Sequence, residues 1–149
     1  MEILDEAKVN PRGLDAVVVG QGAIAGRPVS LFLLHHMATV TCCHIATRDL
    51  YDHTRRADVL VVAVGKPGLI GGEHVKPGAV VIDVGINTVR GPDGTSTVVG
   101  DVAHEAVREV AGAITPVPGG VGPVTVAILL RSAADAAAKQ LASPRRLDD

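Results

Sequence analysis

The residues of this chain that suit binding chemistry begin with a glycine turn. Residues 15–28 read D-A-V-V-V-G-Q-G-A-I-A-G-R-P, in which an apolar run from Ala16 to Val19 precedes three glycines. A short β-branched run bounded by glycine is typical of a strand buried on both faces of a parallel sheet. The helical pattern that follows starts near Pro28, and proline is tolerated in the first turn of a helix. A strand, a glycine turn and a helix start present backbone N–H groups and a positive helix end to an anion, usually a phosphate.

The spacing of these glycines is irregular for a dinucleotide-binding fingerprint. Gly20, Gly22 and Gly26 give G-x-G-x-x-x-G, one residue longer than the standard form. No acidic residue ends the second predicted strand, where a ribose 2′-hydroxyl normally finds its acceptor. The motif alone leaves two interpretations open, a nucleotide site and a set of tight turns. Two further loops, 65–68 and 83–87, follow later predicted strands and favour nucleotide binding, because all three loops then line one cleft.

A second segment suited to ligand binding is rigid and small. Residues 115–123 read T-P-V-P-G-G-V-G-P, with three prolines that fix the backbone and three glycines that let a flat ligand approach it. A helix is predicted to begin between Val121 and Thr125, which offers backbone N–H groups again. The alternative is a stiff connection between a strand and a helix.

The composition excludes several function classes. The 149 residues include one Phe, one Tyr and no Trp, so the core of this single domain must be built from Val, Ile, Leu and Ala. A net charge of −2 and the lack of aromatic stacking platforms argue against nucleic-acid binding. The histidines are scattered without the spacing of a metal-ligand cluster, so no metal site is predicted.

The cysteines and the apolar runs indicate the compartment. Cys42 and Cys43 are adjacent on a predicted strand, and we expect both to be buried small hydrophobic residues, with no disulfide or metal. No apolar run approaches the ~20 residues that span a bilayer, and the first residues show no signal-peptide pattern. We therefore expect a cytoplasmic protein that does not bind a membrane.

Strands that alternate with helical segments predict an α/β fold, a Rossmann-like open and mostly parallel sheet with helices on both faces. Thr47 is predicted to cap one helix and Asp101 another. By domain, residues 1–12 are the end of a connecting helix with a turn, 13–141 the dinucleotide-binding domain and 142–149 a flexible tail. The predicted strands are 16–19, 39–44, 57–64, 79–84 and 113–115, the helices are 26–37, 47–56, 101–111 and 124–141, and residues 87–99 are a β-hairpin or an excursion from the sheet.

Several motifs together resemble one known family. The chain from Gly13 to about Lys139 resembles the nucleotide-binding half of the bifunctional methylenetetrahydrofolate dehydrogenase/methenyltetrahydrofolate cyclohydrolase family. The proline-glycine segment 115–123 and the I-D-V-G-I-N segment 82–87 are the most specific parts of this resemblance. The other motifs that carry it are G-x-G-x-x-x-G-R-P at 20–28, A-T-V-T at 38–41 with His44, A-D at 57–58, V-G-K-P-G at 64–68, V-K-P-G at 75–78 and V-G-D-V at 99–102.

The resemblance implies a reaction and a set of ligand-binding residues. It implies hydride transfer from the methylene bridge of a folate to a nicotinamide dinucleotide, hydrolysis of the methenyl product, and a homodimer formed through this domain. The cofactor-binding residues that it implies are Gly20, Gln21, Gly22, Ile45, Val64, Gly65 and Ile86, and the substrate-binding residues are Pro118, Gly119, Gly120 and Pro123.

The chain departs from the family pattern in two respects. The catalytic lysine and tyrosine of the family lie in an N-terminal substrate domain that these residues do not include, so the catalytic residues are unknown and a separate substrate-domain polypeptide is a candidate partner. NADP-preferring relatives place Arg-Ser at Gln21-Gly22 and Ser at Ile45 to hold the 2′-phosphate. Without those contacts the phosphate dianion is poorly compensated, so NAD is favoured as the cofactor and NADP is the alternative.

Three hypotheses about function follow. The chain is half of a dehydrogenase that needs a substrate domain, or a dinucleotide-binding module without chemistry, or an oxidoreductase that acts on another small substrate. The intact proline-glycine segment favours the first over the third, because a new substrate would remove the need for that backbone. Asp83 is expected to hold neighbouring loops by accepting backbone hydrogen bonds.

Overall fold

The computed structural model describes residues 2–142, which are organised around a five-stranded parallel sheet. The strand order is β2-β1-β3-β4-β7, and every neighbouring pair is parallel. This confirms the predicted fold class. The strands are β1 Asp15–Val19, β2 Thr39–Cys43, β3 Val59–Val62, β4 Val80–Asp83, β5 Asn87–Arg90, β6 Ser96–Val99 and β7 Ala113–Ile114.

Residues 2–142 form five α-helices and one 3-10 turn. The helices are α1 Glu2–Glu6, α2 Gly26–His35, α3 Leu50–Thr54, α4 His104–Arg108 and α5 Val121–Ala142, and the 3-10 turn is Gly72–His74. Of these, α1 precedes β1, α5 follows β7 and the others connect strands. Strands β5 and β6 form an antiparallel hairpin outside the main sheet, as the sequence predicts. Of the expected flexible tail at 142–149, Ala142 is the last residue of α5, and the remainder lies outside the described residues.

The core has two layers because strand side chains alternate between the two faces of the sheet. On one face, Val18 of β1 and Val61 of β3 pack with Leu33 of α2. On the other face, Val19 and Leu60 pack with Val107 of α4. Helices therefore cover both faces of the sheet, and the central strands are buried, β3 throughout and β1 from Ala16 to Val19.

The predicted caps of two helices are wrong. Thr47 does not cap α3, which begins at Leu50; its Oγ accepts a hydrogen bond from the backbone N–H of His44 at 2.8 Å. Asp101 does not cap α4, which begins at His104 after Ala103. Its carboxylate is fully buried and is directed at two loops distant in sequence, described below.

The prediction that both cysteines are buried is wrong for Cys42. Cys43 is fully buried in the core, and Cys42 is exposed. Strand β2 lies at the edge of the sheet, so only its inward-facing side chains are covered. Burial raises the pKa of the Cys43 thiol, which keeps it protonated and unreactive.

By length and composition alone, α5 is able to cross a membrane, contrary to the expectation from apolar runs. It has 22 residues, with a mean hydropathy of 1.3 in its most apolar window, and none of that window is buried. The expectation counted uninterrupted apolar runs, and Arg131 interrupts this one. In the structure Arg131 donates a hydrogen bond to Glu2 of α1 at 2.6 Å. A single helix of this kind is weak evidence for a membrane span.

Candidate functional site

The glycine turn lies at the point where the strand order reverses. The chain leaves β1, forms the edge strand β2, and returns to place β3 on the other side of β1. In open α/β sheets this switch point opens a crevice beyond the carboxyl ends of the strands. The turn after β1 and the loop after β3 both lie at that crevice.

Gly20 and Gly26 allow three backbone segments to approach closely. Gly20 has a φ of +97° and lies against the carbonyl oxygen of Ala63, which a Cβ at position 20 would overlap. A Cβ at position 26 would likewise overlap the carbonyl oxygen of Gly20. Helix α2 therefore starts directly behind the end of β1, which is the arrangement that a dinucleotide pyrophosphate needs. This close packing is the observation which indicates that a dinucleotide pyrophosphate fits the site.

Gln21 is turned away from the cleft and into the first turn of α2. Its Nε2 donates to the carbonyl oxygen of Val18 at 3.1 Å and to Oγ of Ser30 at 3.3 Å. Ser30 is buried, and its Oγ also donates to the carbonyl oxygen of Gly26 at 2.9 Å. Gln21 thus braces the glycine turn with its side chain.

The loop after β2 is apolar at its most exposed position. Ile45 is fully exposed and Gly22 is exposed as well. His44, the residue before Ile45, is constrained, since its Nδ1 accepts a hydrogen bond from the backbone N–H of Ala46 at 3.2 Å. This part of the cleft offers no side-chain donor at positions 21, 22 or 45.

A cavity of about 480 Å³ lies between the loop after β4 and the proline-glycine segment. Ile86 forms part of one wall and is 71% exposed. The opposite wall contains Pro118, Gly119, Gly120 and Pro123, the four residues that the family resemblance implies as substrate-binding. Gly119 has a φ of +106°, in the left-handed region that favours glycine, and glycine at 119 and 120 leaves backbone without side chains on this wall.

Asp83 holds the loops around this cavity, as the sequence predicts. Its carboxylate accepts backbone N–H bonds from Gly85 at 2.9 Å, Asp101 at 3.1 Å and Val102 at 3.0 Å. Its own N–H donates to Oγ of Thr115 at 2.8 Å, which fixes the start of the proline-glycine segment. Burial raises the pKa of the Asp83 carboxyl, and the three N–H donors oppose that shift only in part.

Asp101 links the loop after β3 to the hairpin. Its carboxylate accepts backbone N–H bonds from Val64 at 2.7 Å and Gly65 at 2.9 Å, and a side-chain bond from Asn87 at 2.9 Å. Sequence reasoning missed this role and assigned none to Ser30 or Asn87. The available signal was a set of polar residues at strand ends, since Asp83 ends β4, Asn87 begins β5 and Asp101 closely follows β6.

A larger groove of about 690 Å³ lies elsewhere, between α1, α5 and the strands β4 and β7. It contains Gly119 and Gly120, and like the 480 Å³ cavity it includes no residue of the glycine turn. Among residues 2–142 no group of three His, Cys, Asp or Glu side chains suits a metal ion. The smaller cavity is the better candidate site because it joins the carboxyl ends of the strands.

The switch-point crevice, the glycine turn at the head of α2 and the parallel sheet together define a Rossmann-like dinucleotide-binding domain. The comparisons with known proteins show to which family of such domains the chain belongs. The model of the tetrahydrofolate dehydrogenase/cyclohydrolase NAD(P)-binding domain family matches residues 1–141, so the chain belongs to this family.

Relatives and solved structures agree with that assignment. The bifunctional protein FolD 2 of Mesorhizobium japonicum is 56% identical over 142 residues, which are 95% of this chain and 46% of that protein. A Trypanosoma brucei methylenetetrahydrofolate dehydrogenase-cyclohydrolase, described as complexed with NADP cofactor and inhibitor, is 44% identical with a TM-score of 0.90, and the match covers 96% of this chain and 50% of that one. The corresponding Campylobacter jejuni enzyme is 44% identical with a TM-score of 0.87, covering 94% and 48%. The chain thus spans about half the length of the curated relatives it matches.

Proposed function

We propose that this chain is the nicotinamide-dinucleotide half of a methylenetetrahydrofolate dehydrogenase/cyclohydrolase. The observation that carries the proposal is the packing of Gly20 against Ala63 and of Gly26 against Gly20, which clears backbone for a pyrophosphate at the head of α2. The family match over residues 1–141 supports it. Neither a module without chemistry nor an oxidoreductase for another substrate explains the retained proline-glycine wall as well.

The residues divide between cofactor and substrate. Gly20, Gln21 and Gly22 bind the phosphates and ribose through their backbone, and Val64 and Gly65 border the same crevice from the loop after β3. Ile86 packs at the nicotinamide end. When bound, the dinucleotide supplies the hydride acceptor of the dehydrogenase step. Ile86 and the proline-glycine wall exclude water from that end of the site and orient the flat rings.

The substrate is a folate with a one-carbon bridge. Pro118, Gly119, Gly120 and Pro123 border it, because their backbone leaves a cavity wide enough for a flat ring system beside Ile86. The groups that act on the bridge come from the substrate half of the enzyme, either in the same polypeptide or in a separate one. The cyclohydrolase step uses the same half.

NAD is favoured over NADP in this cleft. A 2′-phosphate would face Ile45, and the Gln21 side chain is already bonded to Val18 and Ser30. Gly22 supplies no side chain. Loss of charge-assisted hydrogen bonds removes the energy by which such sites select the phosphate. The Trypanosoma brucei relative is bound to NADP, so this preference would distinguish the chain from it.

The exposed apolar face of α5 fits a contact with the rest of the enzyme. Leu129 and Leu130 are 67% and 68% exposed. Neighbouring exposed apolar side chains indicate an interaction surface, whereas single scattered ones do not. A homodimer is proposed as the assembly. The cytoplasm is the proposed location, because its reducing conditions suit the free Cys42 and Cys43 thiols.

A reduced-nicotinamide absorbance assay tests this function. The purified chain is mixed with methylenetetrahydrofolate and NAD, first alone and then with the separately purified N-terminal half of the Mesorhizobium japonicum relative. We expect no turnover by the chain alone and turnover when the lysine-bearing half is added. Turnover by the chain alone would contradict the assignment of catalysis to the other half. No turnover in either sample, although folate is bound, would contradict the dehydrogenase function.

A further inference from the structure

Asp101 is a buried carboxylate whose partners belong to two separate loops. One oxygen, Oδ2, accepts the N–H groups of Val64 at 2.7 Å and Gly65 at 2.9 Å. The other, Oδ1, accepts Nδ2 of Asn87 at 2.9 Å. The loop after β3 and the first residue of the hairpin are thus held by the two oxygens of a single carboxylate.

The environment of this carboxylate makes each donor important. Asp101 is 0% exposed, and none of the ion pairs found between residues 2 and 142 includes it or Asp83. A buried charge that no cation neutralises is stabilised by its hydrogen bonds, so the loss of one donor destabilises the folded state. Moving either Asn87 or the Val64–Gly65 turn away from Asp101 therefore raises the free energy of the folded chain.

The backbone of Asp101 is already held by other contacts. Its carbonyl oxygen accepts the N–H of Ile70 at 3.2 Å, and the N–H of Ala103 donates to Ile70 at 2.8 Å. The N–H of Asp101 donates to Asp83. Since these bonds fix the segment that carries Asp101, its side chain is free to serve the two loops instead.

Both loops border the proposed cofactor crevice. A Cβ at Gly20 would lie 3.0 Å from Cγ1 of Val64, so the glycine turn and the Val64–Gly65 turn are neighbours. Asn87 directly follows Ile86, which lines the 480 Å³ cavity. The position of Asp101 is therefore linked to the glycine turn on one side and to the 480 Å³ cavity on the other.

We propose that Asp101 is a positioning residue for the dinucleotide, which acts with Asn87 to hold the Val64–Gly65 turn and the Ile86 loop at one fixed separation. The role rests on the proposed function, because it concerns the same crevice. It predicts that the affinity for the dinucleotide depends on the pairing of Asp101 with Asn87 and not on either residue alone.

A reciprocal exchange of the two side chains tests this role. In Asp101→Asn the amide oxygen replaces Oδ2, and the new Nδ2 meets Nδ2 of Asn87. Asn87 escapes this clash only by rotating its amide, which gives up its bond to the carbonyl oxygen of Val99 at 3.4 Å. In Asn87→Asp two carboxylates face each other. The double variant with both changes restores a donor opposite an acceptor. Thr88→Asp is the control, since it adds the same charge one residue later at an exposed position.

Two measurements are made on the whole chain, namely NAD affinity by calorimetry and amide hydrogen exchange of Val64 and Gly65 without ligand. We expect each single variant to bind NAD about tenfold more weakly and the double variant to recover to within about twofold, with Thr88→Asp unchanged. Exchange at Val64 and Gly65 is expected to quicken in the single variants and to slow again in the double variant. Asn87→Asp keeps the test valid if Asp101→Asn does not fold, because it leaves Asp101 in place.

The outcomes separate this role from the proposed function. Single variants that lower the melting temperature but bind NAD as tightly as the wild type would reduce Asp101 to a structural residue and overturn the positioning role. A double variant that binds as weakly as the single variants would also overturn it. A wild-type chain that binds no dinucleotide would overturn the proposed function and this role together.

Discussion

Gly26 lies so close to the carbonyl oxygen of Gly20 that no Cβ fits between the end of β1 and the start of α2. The contact joins the two ends of the glycine turn and sets where the helix begins. The sixth residue after Gly20 must therefore be glycine, whatever the residues between them. This explains how an irregular G-x-G-x-x-x-G spacing still builds a turn at the switch point.

Gly26→Ala should disrupt the glycine turn. The added methyl overlaps backbone that is held on both sides, so we expect a loss of about 1–3 kcal/mol in the free energy of unfolding and weaker dinucleotide binding. Urea denaturation and calorimetric titration measure the two effects. Gly22→Ala is the matched control, because a Cβ there meets nothing within 4 Å, and its unfolding free energy should change by less than about 0.5 kcal/mol. Equal stability of the two variants would contradict the close packing.

The cofactor preference should reverse when phosphate-binding side chains are supplied. The triple variant Gln21→Arg, Gly22→Ser and Ile45→Ser adds one cation and two hydroxyl donors at the positions that NADP-preferring relatives use. Hydrogen bonds to a charged group contribute about 1.5–3 kcal/mol each, so the ratio of NADP to NAD affinity should rise by at least about tenfold. Calorimetric titration with both cofactors measures it. Tighter binding of NADP than of NAD by the wild-type chain would refute the preference.

The carboxyl of Asp83 should titrate above its ordinary range. Burial raises its pKa from the ordinary value of 3.8, so the folded chain holds the proton more tightly than the unfolded chain. Asp83 therefore contributes stability that is fully present below its unfolded pKa and is lost as pH rises through its folded pKa. Carbon NMR of the labelled side-chain carboxyl measures the midpoint directly.

Asp58 is an internal control for that titration. A hydrogen bond from Lys76, 2.6 Å away, lowers the pKa of the Asp58 carboxyl. Its contribution has the opposite sign: it is present above the unfolded pKa and is lost as pH falls through the folded pKa. The two midpoints should lie on opposite sides of 3.8. An Asp83 midpoint at or below that value would show that the three N–H donors outweigh burial.

The sequence predicted those features that depend on local pattern. Apolar β-branched runs identified all five strands of the sheet, and the polar stretch between Asn87 and Val99 predicted the hairpin. Strand order was not needed for those predictions. It was needed for Cys42, because its exposure follows from the edge position of β2. An edge strand and an internal strand have similar runs of residues, so the sequence does not distinguish them.

The side-chain pairings of the site required the structure. Asp101 precedes a helix and has the residue type of an N-cap, so local reasoning assigned it to α4. Its actual partners, Val64 and Gly65, are 37 and 36 residues away. Gln21 presents the same difficulty, because its contact with Ser30 depends on a rotamer that spacing does not determine.

The measurement that tests the central claim most directly is calorimetric titration of the purified chain with NAD. We expect saturable binding that is tighter for NAD than for NADP and is weakened in Gly26→Ala. These three results together locate the cofactor at the glycine turn. A wild-type chain that folds, yet takes up neither dinucleotide at millimolar concentration, would contradict the account.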